Sequence, residues 1–70
     1  MGQLLIGKNI QRWRSFKGKK QETLAKEVGI SRIMLSRYEN GRSEISIKLL
    51  EKIAKLLDVS IDELLVLPKG

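Results

Sequence analysis

The chain has 70 residues, with 14 Lys and Arg against 8 Asp and Glu, which gives a formal net charge of +6. A chain of this length forms one small domain, residues 1–70, that buries only about 60% of its unfolded surface. It contains no Cys and no His, which excludes disulfides, the commonest zinc ligand sets and His-based catalysis. We therefore expect no enzyme, no metal site and no cofactor.

The hydrophobic residues are not arranged as in a membrane protein. No apolar run approaches the roughly 18 residues of a membrane span, and Met1-Gly2-Gln3 does not resemble the start of a signal peptide. We expect a soluble, cytoplasmic protein without a membrane partner.

The charge is distributed unevenly along the chain. Residues 1–42 contain ten Lys or Arg and three Glu, a balance of +7, whereas residues 43–70 contain four Lys and five acidic residues, a balance of −1. A basic half of this kind is typical of an electrostatic footprint for phosphates.

The first predicted helix runs from about Leu4 to Lys17 and is closed by Gly18. Ile6, Ile10 and Trp13 recur at helical spacing and form its buried stripe.

Two lysines precede the second helix, which opens at Gln21. Neither Lys19 nor Lys20 can accept a hydrogen bond from the helix amides, and the missing cap costs about 1 kcal/mol. A helix N-terminus flanked by lysines nevertheless suits a phosphate. We predict a phosphate clamp of Lys19, Lys20 and Gln21; the alternative is a solvated loop.

The stretch from Gln21 to Gly41 contains two short amphipathic segments around a tight break. In the first, one apolar face is followed by Gly29, the left-handed residue that ends many helices. Ser31 is a good N-cap for the second helix, Arg32 to Asn40. Two helices joined by a short Gly-containing turn make a helix-turn-helix. The residues predicted to be buried are Leu24, Ala25, Val28, Leu35 and Tyr38.

The outward residues of the second segment are basic and polar, as reading a DNA major groove requires. Arg32 suits guanine O6 and N7, Ile33 suits a thymine methyl, and Arg37 suits either a base or a phosphate. The alternative for Ile33 and Met34 is that one of them belongs to the core. The predicted base-reading residues are Arg32, Ile33, Ser36 and Arg37.

Several fixed elements of this stretch resemble the helix-turn-helix of the phage repressor and Cro family of prokaryotic transcriptional regulators. They are Gln21-Glu22, Leu24-Ala25, Gly29-Ile30-Ser31, Leu35-Ser36 and Glu39-Asn40-Gly41. The likeness extends from Ile6 to about Leu65. It implies an all-α, five-helix, lambda-repressor-like domain, with the helix-turn-helix at helices 2 and 3 and double-stranded DNA as partner.

The resemblance also implies roles for individual residues. An ion pair between Arg14 and Glu39 would link the first helix to the third; the alternative is a free phosphate contact by Arg14. Gln21, Asn40 and Arg42 fall where family members touch the DNA backbone. This sequence departs from the family at Lys19 and Lys20, where a hydrophobic residue and a Ser or Thr cap are usual, and at Ile45, where many relatives carry proline.

Two further helices follow. Ser46 caps a helix from Ile47 to Leu57, whose inner stripe is Leu50, Ile53, Ala54 and Leu57. Ser60 and Glu63 form a capping box for a last helix that runs to about Leu67, before Pro68.

The segment Leu64 to Leu67 is apolar all round, more than one face of a small bundle can bury. We predict a homodimer surface that includes Leu64, Leu65 and Leu67; the alternative is that the segment packs against Leu4 and Leu5. The whole pattern favours a repressor-like regulator that binds a palindromic operator as a dimer. The alternative is an antitoxin-like or other protein-interaction subunit with a protein partner.

Overall fold

A computed structural model describes residues 2–66, which form five α-helices and no strand. The all-α, five-helix fold predicted from the sequence is confirmed. None of these helices is long and apolar enough to cross a membrane. The helices are α1 (Gln3–Phe16), α2 (Gln21–Val28), α3 (Arg32–Glu39), α4 (Ile47–Leu57) and α5 (Ile61–Leu65).

The helix bounds differ from the prediction mainly at the C-terminal end. Helix α5 ends at Leu65 rather than near Leu67, because the backbone of Val66 is extended. The predicted stop at Pro68 lies outside the described residues. Helix α1 begins and ends one residue earlier than predicted.

Serine hydroxyls cap three of the helices. Ser31, Ser46 and Ser60 each accept a hydrogen bond from the backbone amide three residues later, over 3.0 to 3.2 Å. The Glu63 carboxylate accepts from the Ser60 amide and completes the predicted capping box. Each cap stabilises its helix by about 1 kcal/mol. Helix α2 has no side-chain cap at Lys20, as predicted.

The core lies between α1, α4 and the α2–α3 pair. Helix α1 packs against α3 and α5, and α2 packs against α3 and α4. This arrangement covers one side of α3 and leaves its opposite side exposed. The largest fully buried apolar side chains are Ile10, Leu24, Leu35, Leu50, Ile53, Leu57 and Leu64.

Helices α1 and α3 approach closely at Gly7. A Cβ atom on Gly7 would overlap the carbonyl oxygens of Tyr38 and Glu39. At the end of α3, Gly41 has φ +69°, and a Cβ there would lie 2.7 Å from the Leu4 Cα. Both glycines are therefore required to hold the end of α3 against α1.

Helix α5 packs against α1, so the assignment of Leu64 to a dimer surface is wrong. Leu64 is fully buried in the core; α5 does pack against the first helix, where the bonded residues are Asn9 and Trp13. Asn9 on α1 donates to the carbonyl oxygens of Leu64 and Val66 over 2.9 and 2.8 Å. Leu65 is half-buried against the core. Leu67 lies outside the described residues.

Candidate nucleic-acid interface

The outer side of α3 carries the residues predicted to face DNA. Arg32 and Arg37 are exposed, and Ser36 is half-buried. Ile33 is 68% exposed, so it does not belong to the core. Met34 is half-buried. The helix therefore presents two guanidinium groups, one aliphatic side chain and one hydroxyl on its open side.

The C-terminal end of α3 is anchored by a buried carboxylate. Glu39 is 1% exposed, and its two oxygens accept from Arg14 Nε at 2.7 Å and Nη2 at 3.1 Å. The ion pair that the resemblance implied is thus present, in a bidentate geometry that is stronger than a single contact. Arg14 Nη1 donates to the Lys19 carbonyl oxygen over 3.0 Å. All three guanidinium nitrogens donate within the protein, which argues against a free phosphate contact by Arg14.

Gln21 joins the same network. Its Nε2 donates to Glu39 Oε1 over 3.0 Å. The first residue of α2 is thereby tied to the last residue of α3, and the two helices keep a defined relation to α1. Within residues 2–66 no side chain accepts from the first amides of α2, because Lys20 supplies no cap. Those amides are free to meet an anion.

The two lysines before α2 differ in their environments. Lys20 is exposed. The ammonium group of Lys19 instead donates to Glu27 Oε1 over 2.7 Å and to the Leu56 carbonyl oxygen over 3.4 Å. The predicted clamp is therefore divided: Lys20 and the α2 N-terminus are open, whereas the Lys19 ammonium group is already paired with Glu27.

Arg37 is attached to the loop that follows α3. Its Nε donates to the Ser43 hydroxyl over 2.8 Å, and its Nη2 donates to the Arg42 carbonyl oxygen over 3.1 Å. Asn40 donates from its side chain to the Ser36 carbonyl oxygen over 2.8 Å. Arg42 itself is exposed. The predicted contacts at Arg37, Asn40 and Arg42 thus meet at one end of α3.

Sequence reasoning missed several residues that hold the parts of this fold together. Ser43 holds Arg37, Asn9 holds the end of α5, and Gln3 Oε1 accepts from the Ile45 amide over 2.9 Å. No local pattern indicates these partners, because two of them bond to residues about 40 or more positions away. Within residues 2–66, no group of three His, Cys, Asp or Glu is placed to hold a metal ion.

Comparison with known proteins identifies the family to which this fold belongs. A helix-turn-helix family model matches residues 10–64. The chain belongs to the phage repressor and Cro-type helix-turn-helix family. It is 46% identical over 56 residues to the antitoxin PezA of Streptococcus pneumoniae, covering 80% of this chain and 35% of PezA. It is 39% identical over 62 residues to the transcriptional regulator SinR of Bacillus subtilis, covering 87% of this chain and 56% of SinR.

Solved structures of family members support the same assignment. SinR in complex with DNA superposes with a TM-score of 0.78 at 39% identity, over 87% of this chain and 98% of that one. The restriction-modification controller protein C.AhdI of Aeromonas hydrophila superposes with a TM-score of 0.83 at 32% identity, over 89% of this chain and 94% of that one.

The curated relatives named above are an antitoxin and a transcriptional regulator rather than enzymes, which agrees with the expectation that this domain is not catalytic. The chain spans only part of the length of these two curated relatives, 35% of PezA and 56% of SinR.

Proposed function

We propose that the chain is a sequence-specific double-stranded DNA-binding regulator that inserts α3 into the major groove. This proposal rests mainly on the exposed side of α3. The helix itself is held at one end by the Ser31 cap and at the other by the buried Glu39. A helix with both ends fixed presents its side chains to base edges in a constant register. The presence of DNA in the SinR complex supports this function.

Base selection falls to the outward residues of α3. Arg32 lies at the first position of the helix, where recognition helices meet base edges, and it would bind guanine O6 and N7. Ile33 would pack on a thymine methyl, and Ser36 would bond to an adjacent base edge. Among residues 2–66 no acceptor is bonded to Arg37 Nη1. Arg37 can therefore contact DNA while still bonded to Ser43.

Backbone contacts would set the position of the protein on the duplex. Lys20 and the open amides at Gln21 lie at the N-terminus of α2, where the helix dipole favours a phosphate. Asn40 and Arg42 lie at the other end of α3 and would bind a second stretch of backbone. Lys19, already paired with Glu27, would add a phosphate contact by sharing its ammonium group between the two anions or by exchanging one for the other.

The regulator would act in the cytoplasm as a homodimer on a palindromic operator and repress by occupying it. Two copies would place their recognition helices roughly 34 Å apart, on half-sites about 10 base pairs centre to centre. Of the predicted dimer surface, Leu64 is excluded by its burial and Leu65 is only half-buried.

The test is a selection of randomised DNA duplexes on the purified protein at near-physiological salt, followed by sequencing. We expect a two-fold symmetric motif with half-sites one helical turn apart. Enrichment of a single asymmetric motif would agree with base reading but would contradict binding as a dimer. Weak, salt-sensitive binding without any motif would overturn sequence-specific regulation.

A second candidate is an antitoxin-like subunit, which the 46% identity to PezA favours. The same selection separates a protein that reads DNA sequence from a subunit that only binds protein. An interaction-only subunit would enrich no motif, whereas an antitoxin that also regulates transcription would enrich one.

A further inference from the structure

A second exposed surface lies on α1, away from α3. Phe16 is 76% exposed, the largest fraction among the large hydrophobic side chains of residues 2–66. Its ring stands edge-on to Trp13, with ring centres 5.6 Å apart and planes at 89°. Together with Arg12, the two rings line a cavity of about 120 Å³. We call Arg12, Trp13 and Phe16 the aromatic patch.

The aromatic patch lies on the side of α1 that faces α5 rather than α3. Trp13 Nε1 donates to the Glu63 carbonyl oxygen of the α5 segment over 3.3 Å. Gly7 and Arg14, in contrast, meet the end of α3. The proposed DNA-binding side and the aromatic patch are therefore on different sides of α1, and a protein bound to DNA would still expose the patch.

The α1 side of the patch is basic. Residues 1–20 contain six Lys or Arg and no Asp or Glu. Of these six, only Arg14 and Lys19 form ion pairs within residues 2–66. Arg12 lines the cavity, and the Lys17 ammonium nitrogen lies 5.9 Å from the centre of the Trp13 ring. A partner would therefore meet an apolar cavity with two positive charges beside it.

This composition is that of a protein-binding site. Aromatic residues and Arg are enriched in the centres of protein interfaces and among the residues that dominate binding energy. An enclosed apolar cavity of about 150 Å³ holds a molecule as large as benzene; the pocket beside Trp13 and Phe16 has a similar volume but is open to solvent, and offers space for one apolar side chain. Opposite charge on the partner would speed association and select among partners.

We propose that the aromatic patch docks an acidic segment of a protein partner. An apolar side chain of that segment enters the cavity between Trp13 and Phe16, and flanking Asp or Glu residues pair with Arg12 and Lys17. The partner binds while α3 remains free for DNA, so the patch links the regulator to a second protein.

Trp13 is the only tryptophan in the chain, so its fluorescence reports directly on the patch. A displayed library of random 12-residue peptides without Trp is selected on the full chain, and an enriched peptide is then titrated while Trp13 emission is recorded. We expect enriched peptides to combine acidic residues with a bulky apolar residue. We also expect a blue shift of Trp13 emission on binding, because the ring loses water contact.

Variants test the assignment of the site. Phe16→Ala should weaken the peptide at least tenfold, whereas the matched control Ile47→Ala, at a side chain 65% exposed on α4, should not change its affinity. The double variant R12E/K17E should reverse the library preference towards basic peptides. Thermal unfolding of each variant verifies that the fold is retained, and binding to the selected DNA duplex should be unchanged by Phe16→Ala.

Four outcomes would overturn the proposal. They are the enrichment of no peptide, enriched peptides that lack acidic residues, and an equal loss of affinity in Phe16→Ala and Ile47→Ala. The fourth is a concentration-dependent Trp13 shift without peptide that Phe16→Ala abolishes, which would assign the patch to contact between two copies of the chain.

Discussion

The two helices of the helix-turn-helix differ in how their ends are held. Helix α3 begins at the Ser31 cap and ends at Glu39, which is buried and bonded to Arg14 and Gln21. Helix α2 begins at Lys20, which supplies no cap. This difference corresponds to the two proposed roles. A helix that reads bases, as proposed for α3, must keep its register, whereas the open amides at the N-terminus of α2 suit a phosphate. Of the two helices of the helix-turn-helix, only α2 begins without a side-chain cap.

The largest effect is expected from removing the buried Glu39 carboxylate, which anchors α3. Glu39→Ala leaves Arg14 and Gln21 without their buried acceptor and should destabilise the fold by about 3–5 kcal/mol, the usual loss when one partner of a buried ion pair is removed. Chemical denaturation measures the change. Glu22→Ala, at an exposed position on α2, is the control and should have little effect. An unchanged midpoint for Glu39→Ala would show that the pair does not hold α3.

The next effect concerns the side chain at the start of α3. Arg32→Ala should weaken binding to the selected DNA site by about 1–3 kcal/mol and relax selectivity at one base pair. Binding titrations on the preferred duplex and on duplexes changed at single base pairs measure both quantities. Lys26→Ala, exposed on α2, provides a control for the loss of one positive charge. A loss that is equal on every sequence would make Arg32 a phosphate contact.

Restoring the cap of α2 should remove the difference between the two helices. Lys20→Thr should stabilise the fold by about 1 kcal/mol, because a threonine hydroxyl accepts from the first-turn amides. It should also weaken DNA binding uniformly and lower the salt slope by about one. Melting curves and titrations at several salt concentrations measure these effects. Lys20→Met removes the charge without adding a cap and therefore separates the effect of the charge from that of the cap. A Lys20→Thr variant less stable than the original protein would refute the capping argument.

The smallest expected effect is at the loop after α3. Ser43→Ala removes the acceptor of Arg37 Nε and should cost at most about 0.5 kcal/mol of stability, because this hydrogen bond is exposed to water. The freed Arg37 should also broaden base selection near the end of α3. NMR of the Arg37 Nε–H signal tests the contact without DNA, and repeated DNA selection tests its consequence. Ser15→Ala, at an exposed serine on α1, is the control. An unchanged Nε–H signal would show that Ser43 does not hold Arg37.

Most of the helices were predictable because their signals are local. Gly29 adopts φ +89° after α2, and the three serine caps bond to amides only three residues away. The inner stripe of α4 repeats at helical spacing and is buried throughout. Such features depend on neighbouring residues, so sequence reasoning located four of the five helices to within one residue at each end.

The candidate site was predictable only in part. The outward side of α3 follows from its spacing, and the Arg14–Glu39 pair, 25 residues apart, followed from family resemblance alone. The predictions for Lys19 and Arg37 were incomplete, because neither included the hydrogen-bond partner of the residue. These partners, Glu27 and Ser43, are eight and six residues away, and no rule of helix spacing pairs residues at those distances.

By itself, then, the sequence determined the helices, their breaks, the basic half and the helix-turn-helix. Tertiary structure alone decided that Leu64 belongs to the core. Asn9 on α1 holds the end of α5 through the backbone oxygens of residues 55 and 57 positions later, and this long-range contact keeps the Leu64 segment against α1. It also decided which side chains of α1 meet α3 and which stay exposed beside α5. The physical reason is that caps and turns bond between neighbours in the chain, whereas burial depends on which helices the whole fold brings together.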